Sequence, residues 1–150
     1  MSEAVVAGAI AVAILNALPA LYGAWSWYAG RADRVFWILL RIGQGAALAF
    51  ALVVGSLALA GRYSSEHLFY LYALLPLAVA FVAEQLRVAS AQAILDRRGL
   101  PDAKAVGGLP ESEQQAVVAA ILAREMGVMA LSALVVVFLA LRAAGTAHGF

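Results

Sequence analysis

Apolar residues fill this chain in four long runs, and short polar stretches separate the runs. They cover approximately residues 5–28, 35–60, 68–86 and 116–141. Each run is long enough, as a helix, to cross about 30 Å of hydrocarbon. Because a bilayer core offers no partner to an unpaired backbone group, the runs are predicted to be helices and not strands of an open sheet.

The polar stretches predict how these helices connect. Helices are expected over about 5–28, 35–60, 67–95 and 111–142, with two short turns and one longer loop at about 96–110. Ser64 and Ser65 are placed to cap the third helix. That helix is expected to outrun the bilayer as an amphipathic tail, RVASAQAIL, and to stop at Gly99. The prediction is a single all-α domain over 1–150, an antiparallel four-helix transmembrane bundle with a flexible loop.

The composition indicates that the helices are surrounded by lipid, and it argues against nucleic-acid binding and cysteine chemistry. The chain is 65% hydrophobic and 13% charged, whereas soluble domains are about 45–50% apolar and about 25% charged. A net charge of +1 gives no field that would attract nucleic acid. The absence of cysteine excludes disulfides, thiolate metal sites and cysteine nucleophiles.

Basic residues in the connections predict the orientation. The first turn and the long loop hold five basic residues, Arg31, Arg34, Arg97, Arg98 and Lys104. The other side holds two, Arg62 and Arg142. Since cytoplasmic loops carry the excess of Lys and Arg, both termini are expected to be extracytoplasmic. The expected location is the plasma (inner) membrane, as a multi-pass protein. Aromatic belts are expected at both interfaces: Trp25, Trp27, Tyr28, Phe36 and Trp37 on the inner side, and Tyr63, Phe69, Tyr70 and Tyr72 on the outer side.

In this topology the polar residues of three helices meet at one depth. The predicted layer near the inner boundary contains Arg41, Gln44, Glu84, Gln85, Arg87, Arg124 and Glu125. Glu84 and Arg87 are i, i+3 neighbours and can pair, which leaves Glu125 to pair with Arg41 or Arg124. One arginine then has no carboxylate and could bind a lipid phosphate, a carboxylate substrate or a partner's acid. The competing interpretation is a structural ion-pair network whose ends snorkel to the headgroups.

Helix packing is predicted from one polar residue and two series of small ones. Asn16 is the strongly polar residue near the middle of the first helix, and an interhelical hydrogen bond is favoured over a ligand contact. Small residues recur at i, i+4 on the second and fourth helices: Gly43, Ala47, Ala51 and Gly55, and Ala119, Ala123 and Gly127. Such series allow backbones to approach closely.

Motifs of known chemistry do not select a reaction. The chain has no GxSxG, no phosphate-binding glycine loop and no HExxH, so no catalytic residue, cofactor or metal site is predicted. Its size, four spans and charged inner half resemble the MAPEG group, membrane enzymes that use glutathione and generally form trimers. That family's pattern is roughly Arg-x3-Asn-x2-Glu, and here Gly45 and Leu48 follow Arg41 at those spacings. No residue role is therefore transferred.

Three classes of function remain. The first is a non-enzymatic membrane protein that acts by association, as a homo-oligomer or as an accessory subunit of a membrane complex. The second is a binding or transport module for an anionic lipid or amphiphile, in a vestibule lined by Arg41, Arg87 and Arg124. The third is an intramembrane enzyme on a lipid-soluble substrate, with Glu84 or Glu125 as general acid or base. The first class is the preferred prediction, with an enzyme less favoured.

Overall fold

The computed structural model of the chain describes residues 2–31 and 33–149. The predicted limits Met1 and Phe150, and Ala32 in the first turn, lie outside the described residues. The helices are α1 (Ser2–Tyr28), α2 (Arg34–Leu59), α3 (His67–Arg97), α4 (Ala103–Val106) and α5 (Glu111–Thr146). Within the described ranges there is no β-strand, so the predicted all-α class is confirmed.

Four of the helices have the length and composition of membrane spans. The most apolar 18-residue windows of α1, α2, α3 and α5 have mean hydropathies between 1.6 and 2.2. The outer surface of the bundle is also apolar: Leu21, Leu52 and Phe138 are 70%, 63% and 61% exposed. A surface that exposes this many large apolar side chains suits lipid and not water. The chain therefore has the features of a small multi-pass membrane protein.

The four long helices form a ring in which neighbours run antiparallel. α1 packs on α2 and α5, α3 packs on α5, and α2 and α3 close the ring with the smallest contact of the four. We call the end with the two chain termini and the 60–66 turn the terminal end, and the opposite end the loop end. Core residues lie in three layers between these ends, represented by Val5, Val54 and Phe69 at the terminal end, Val12, Ala47 and Val136 in the middle, and Phe36, Leu40 and Met129 at the loop end.

α3 and α5 project beyond α1 and α2 at the loop end. Trp27, in the last turn of α1, lies beside Gly127, whereas α5 begins at Glu111. At 1.5 Å per residue the projecting hairpin is about 24 Å long. The extension predicted for the third helix is therefore present in α3, and α5 projects together with it. The loop predicted as flexible holds α4, which the Asp102 carboxylate caps by accepting a hydrogen bond from the Ala105 N–H at 2.9 Å.

Three long helices end in the same backbone motif. A glycine with positive φ follows the C-cap residue of α1, α2 and α3, and in α3 this is Gly99 with φ 67°. The N–H of Gly99 donates to the Asp96 carbonyl, and the N–H of Leu100 donates to the Leu95 carbonyl. This Schellman pattern satisfies carbonyls that the helix end would leave unpaired. The predicted stop of the third helix at Gly99 is confirmed.

α1 and α2 pack closely against each other where Asn16 meets Gly43. The buried Asn16 side-chain amide donates to the Val12 carbonyl at 2.9 Å and to the Gly43 carbonyl of α2 at 3.1 Å. A Cβ on Gly43 would lie 2.8 Å from Asn16 Oδ1 and 3.0 Å from the Leu15 carbonyl. Pro19 has no N–H to bond that carbonyl within α1. The expected interhelical hydrogen bond of Asn16 is thus present, and only glycine fits opposite it.

The α2–α3 turn is bound to the end of α5. The hydroxyls of Ser64 and Ser65 donate to the His148 carbonyl at 2.9 and 3.2 Å, and the Ser65 N–H donates to the same carbonyl at 2.9 Å. The N-cap of α3 is Glu66, and its side chain makes no capping hydrogen bond. The prediction that Ser64 and Ser65 cap α3 is therefore wrong. Their hydroxyls instead close the terminal end of the ring.

The structure differs from the predictions for two aromatic residues and for the two series of small residues. Phe36 and Phe69, expected in the aromatic belts, are fully buried and are the largest side chains of the core. Gly43, Ala47 and Ala51 of the α2 series are also buried inside the bundle. In the α5 series Ala119 is exposed, whereas Gly127 lies against Trp27. The α2 series therefore supports packing within this chain and leaves little for a second copy.

Replacement of Gly43 by alanine should destabilise the bundle by about 1–3 kcal/mol, because the new Cβ forces α1 and α2 apart. Gly45→Ala is the matched control, since a Cβ there has no neighbour within 4 Å and alanine favours the helix. Thermal unfolding of the two variants in detergent measures the difference. Equal stability of the variants would show that the crossing at Asn16 tolerates a side chain.

Asp33 should stabilise the fold in a pH-dependent way. Its carboxylate accepts hydrogen bonds from the Tyr22 hydroxyl of α1 and from the Val35 N–H at 3.0 Å. These bonds and the nearby charge of Arg31 hold the pKa of Asp33 below its ordinary value. Because the pKa is lower in the folded state, the stabilisation is complete above about pH 4 and is lost as the pH falls through the lowered pKa.

The test compares the melting temperatures of wild type and Asp33→Asn at several pH values. Asparagine can still cap α2, so the variant isolates the effect of the charge. The difference should be largest at neutral pH and should shrink below about pH 4. Asp102→Asn, in which the altered side chain bonds only within its own turn, is the control. A difference that does not change with pH would contradict the prediction.

Candidate functional site

The polar residues of α2 and α3 meet around one carboxylate at the seam between these helices. Arg41 Nη1 lies 2.6 Å from Glu84 Oε1, and Arg87 Nε lies 3.1 Å from Glu84 Oε2. The Arg87 N–H does not point at that oxygen, so this second contact is an ion pair without a hydrogen bond. Arg41 Nη1 also donates to Gln44 Oε1 at 2.6 Å. We call Arg41, Gln44, Glu84 and Arg87 the seam cluster.

Helix geometry explains why these side chains converge. Glu84 and Arg87 are three residues apart on α3, and Arg41 and Gln44 are three residues apart on α2, so each pair shares a helix face. The Arg87 guanidinium also stacks 5.5 Å from the ring centre of Trp37 on α2. Two contacts, Arg41 with Glu84 and Arg87 with Trp37, therefore join α2 and α3 where the ring has its smallest helix contact.

The seam cluster carries an excess positive charge on the side of the bundle. Two arginines share one glutamate, and the side chain of Arg41 is 53% exposed. Arg41 lies seven residues inside α2, about 10 Å from the start of the helix. Oε1 of Glu84 accepts a hydrogen bond from Arg41, and Oε2 lies in an ion pair with Arg87, so both oxygens already have a cationic partner. This arrangement gives no support to the predicted role of Glu84 as a general acid or base.

The structure separates the rest of the predicted layer from this cluster. Gln85 is exposed and has no side-chain hydrogen bond among the described residues. Glu125, half-buried on α5, forms no ion pair with a described residue, so its predicted pairing with Arg41 or Arg124 is wrong. Glu84 pairs with Arg41, and Arg124 precedes Glu125 directly in α5, so these two side chains point to different faces of the helix. Arg124 is exposed and has no carboxylate partner in the described ranges, so it is an arginine in surplus.

Arg124 instead lines an open cavity with polar and apolar walls at the loop end. The cavity has a volume of about 330 Å³ and lies between α3, α5 and the end of α1, with Trp27, Ser90, Arg97 and Arg124 among its lining residues. Sequence reasoning assigned Arg97 to the loop and Trp27 to the belt, and so missed both. The spacing Leu86, Ser90, Ala93 and Arg97 could have shown that Arg97 continues the α5-facing side of α3.

Histidines and acidic residues do not gather into a metal site in the part of the chain that the structure describes. His67 and His148 are both exposed at the terminal end. The interaction that His148 contributes comes from its backbone carbonyl, which binds Ser64 and Ser65.

Comparisons of the chain with protein-family models, with curated proteins and with solved structures found no match.

Removal of the shared carboxylate should cost more stability than removal of either neighbour. Glu84→Gln leaves Arg41 and Arg87 side by side without a counter-charge, whereas Arg41→Gln leaves one intact pair. We expect a coupling of about 0.5–1.5 kcal/mol in the Arg41→Gln/Glu84→Gln double-mutant cycle, the range of interhelical polar contacts in membrane proteins. Equilibrium unfolding in detergent measures the coupling. Glu125→Gln is the control, and a loss equal to that of Glu84→Gln would refute the assignment.

Proposed function

We propose that this chain is a non-enzymatic membrane protein that acts by association, as a homo-oligomer or as an accessory subunit of a membrane complex. The α2–α3 seam is its contact face, and Arg41 is the central residue. The observation that carries the proposal is the excess positive charge of the seam cluster, exposed on the side of the bundle.

The energetics of charge in lipid favour a partner at this face. A charged side chain at the centre of a spanning helix costs about 2.5–3.5 kcal/mol on insertion scales, and less near the interface. Glu84 offsets one of two positive charges. Arg41 has five N–H donors, of which the contacts with Gln44 and Glu84 use only those on Nη1. A carboxylate or amide from a neighbouring helix would occupy the remaining donors.

The shape of α2 beside Arg41 also favours lateral contact. Trp37, Ile38, Arg41 and Ile42 line an open depression of about 460 Å³ on the outer face of the helix. An apolar depression with one cation at its rim suits a helix that presents apolar side chains and one acidic or amide group. The buried small residues of α2 cannot serve this purpose, since they lie inside the bundle.

The experiment is native mass spectrometry of the protein extracted from its own membrane in a mild detergent. Wild type should run as an oligomer or as a complex with a second chain, and Arg41→Gln should shift most of it to the monomer. Arg34→Gln is the matched control, because Arg34 is an exposed arginine at the start of the same helix. A monomeric wild type, or equal dissociation in the two variants, would refute the proposal.

A cysteine at Ile38 distinguishes a second copy from a different partner. The chain has no cysteine, so Ile38→Cys is a unique reactive site. In a homo-oligomer with a symmetric contact, oxidation in the membrane should join two copies of the chain. In an accessory subunit, a bifunctional thiol-to-amine reagent should add one other protein at stoichiometric yield. Leu134→Cys, exposed on α5, is the control and should react in neither assay.

A further inference from the structure

We propose that the seam between α3 and α5 binds one phospholipid with an anionic headgroup. The headgroup phosphate lies between Arg97 and Arg124 beside Trp27, and an acyl chain follows an apolar groove toward the middle of the bundle. This site goes beyond the proposed association and uses the opposite side of α3. It also differs from the vestibule predicted from sequence, because Arg41 and Arg87 pair with Glu84 at the α2–α3 seam and do not line this site.

The apolar part of the site is a groove of about 450 Å³ along the outside of the α3–α5 seam. Leu75, Val82 and Leu86 of α3 and Val128, Leu131 and Val135 of α5 form its walls. Leu86 and Val82 are each 52% exposed and Leu131 is 63% exposed, so the groove opens to the surrounding lipid. Its open, apolar form suits a hydrocarbon chain.

The polar part of the site is the cavity of Arg97 and Arg124. No Asp or Glu is among the residues that line it, and neither arginine has a carboxylate partner in the described ranges. The Ser90 hydroxyl adds a hydrogen-bonding group, and the half-exposed Trp27 ring forms one side. Guanidinium groups bind phosphate oxygens in pairs, and Trp prefers the depth of lipid headgroups.

The two parts lie in line on the same helix faces. On α3, Leu86 is followed at steps of four, three and four residues by Ser90, Ala93 and Arg97; on α5, Val128, Arg124 and Ala120 are separated by steps of four. Residues at such steps share one face of a helix. The arginine cavity therefore continues the groove toward the loop end.

The combined site is long enough for a lipid of one leaflet. From Leu75 to Arg97 α3 rises about 33 Å, whereas half of a bilayer with its headgroups is about 20–22 Å. Two cations without an acid favour a headgroup that carries net negative charge. A choline headgroup would bring its own cation toward the arginines and bind less well.

The test is native mass spectrometry of the purified protein in detergent that contains equal amounts of phosphatidylglycerol and phosphatidylcholine. Wild type should retain one phosphatidylglycerol in preference to phosphatidylcholine. Arg97→Gln/Arg124→Gln should lower that retention about 25-fold, since each arginine near an anionic lipid contributes about fivefold. Arg98→Gln/Lys104→Gln removes the same charge from exposed positions at the same end, outside the cavity, and should retain the lipid.

A second variant tests the groove without altering charge. Ala78→Phe places a ring among the groove residues and should weaken retention of phosphatidylglycerol, whereas Ala7→Phe, on an exposed position of α1 outside the groove, should not. Equal retention of the two lipids by wild type would show ordinary boundary lipid and overturn the proposal. Equal losses in the two charge variants, or full retention by Ala78→Phe, would overturn it as well.

Discussion

In a lipid bilayer, the setting that four long apolar helices indicate, this bundle would have to hold together without the hydrophobic effect, because lipid chains are as apolar as its core. Close packing and a few polar contacts must supply the attraction. More than half of the buried hydrophobic residues are alanines, which let the helix backbones approach each other. Larger side chains enter the core at few places, and Phe36 is accommodated because Gly23 leaves room for its ring.

Polar contacts stabilise the ring at three depths. At the terminal end Ser64 and Ser65 bind the His148 carbonyl; in the middle Asn16 binds the Gly43 carbonyl; toward the loop end Glu84 joins Arg41 and Arg87. Each contact links helices or turns that are distant in sequence. In a medium that offers no water, such bonds help to define which helices are neighbours and at what height.

α3 divides the side of the bundle into two surfaces of different chemistry. Toward α2, its glutamate compensates one of two arginines and leaves a positive charge beside an open depression. Toward α5, its surface forms an apolar groove that ends at two arginines without an acid. Glu84 is the cause of the difference, because it draws Arg41 and Arg87 to one seam and leaves Arg124 to the other. The proposed association and the proposed lipid site therefore use separate faces and can be tested separately.

The sequence by itself determined the number of long helices, their approximate ends and their apolar character. These properties are local: a run of apolar residues, a glycine such as Gly99 after the last turn, or the i, i+3 spacing of Glu84 and Arg87 acts over a few residues.

Only the tertiary structure decided that Glu84 pairs with Arg41 of α2, that Glu125 forms no ion pair with a described residue, and that the Phe36 ring is buried. It also brought Arg97 to Arg124, since α3 and α5 project together beyond α1. Such outcomes depend on the rotation of each helix about its axis and on the choice of its neighbours. In a chain that is apolar on nearly every helix face, periodicity alone does not specify that rotation.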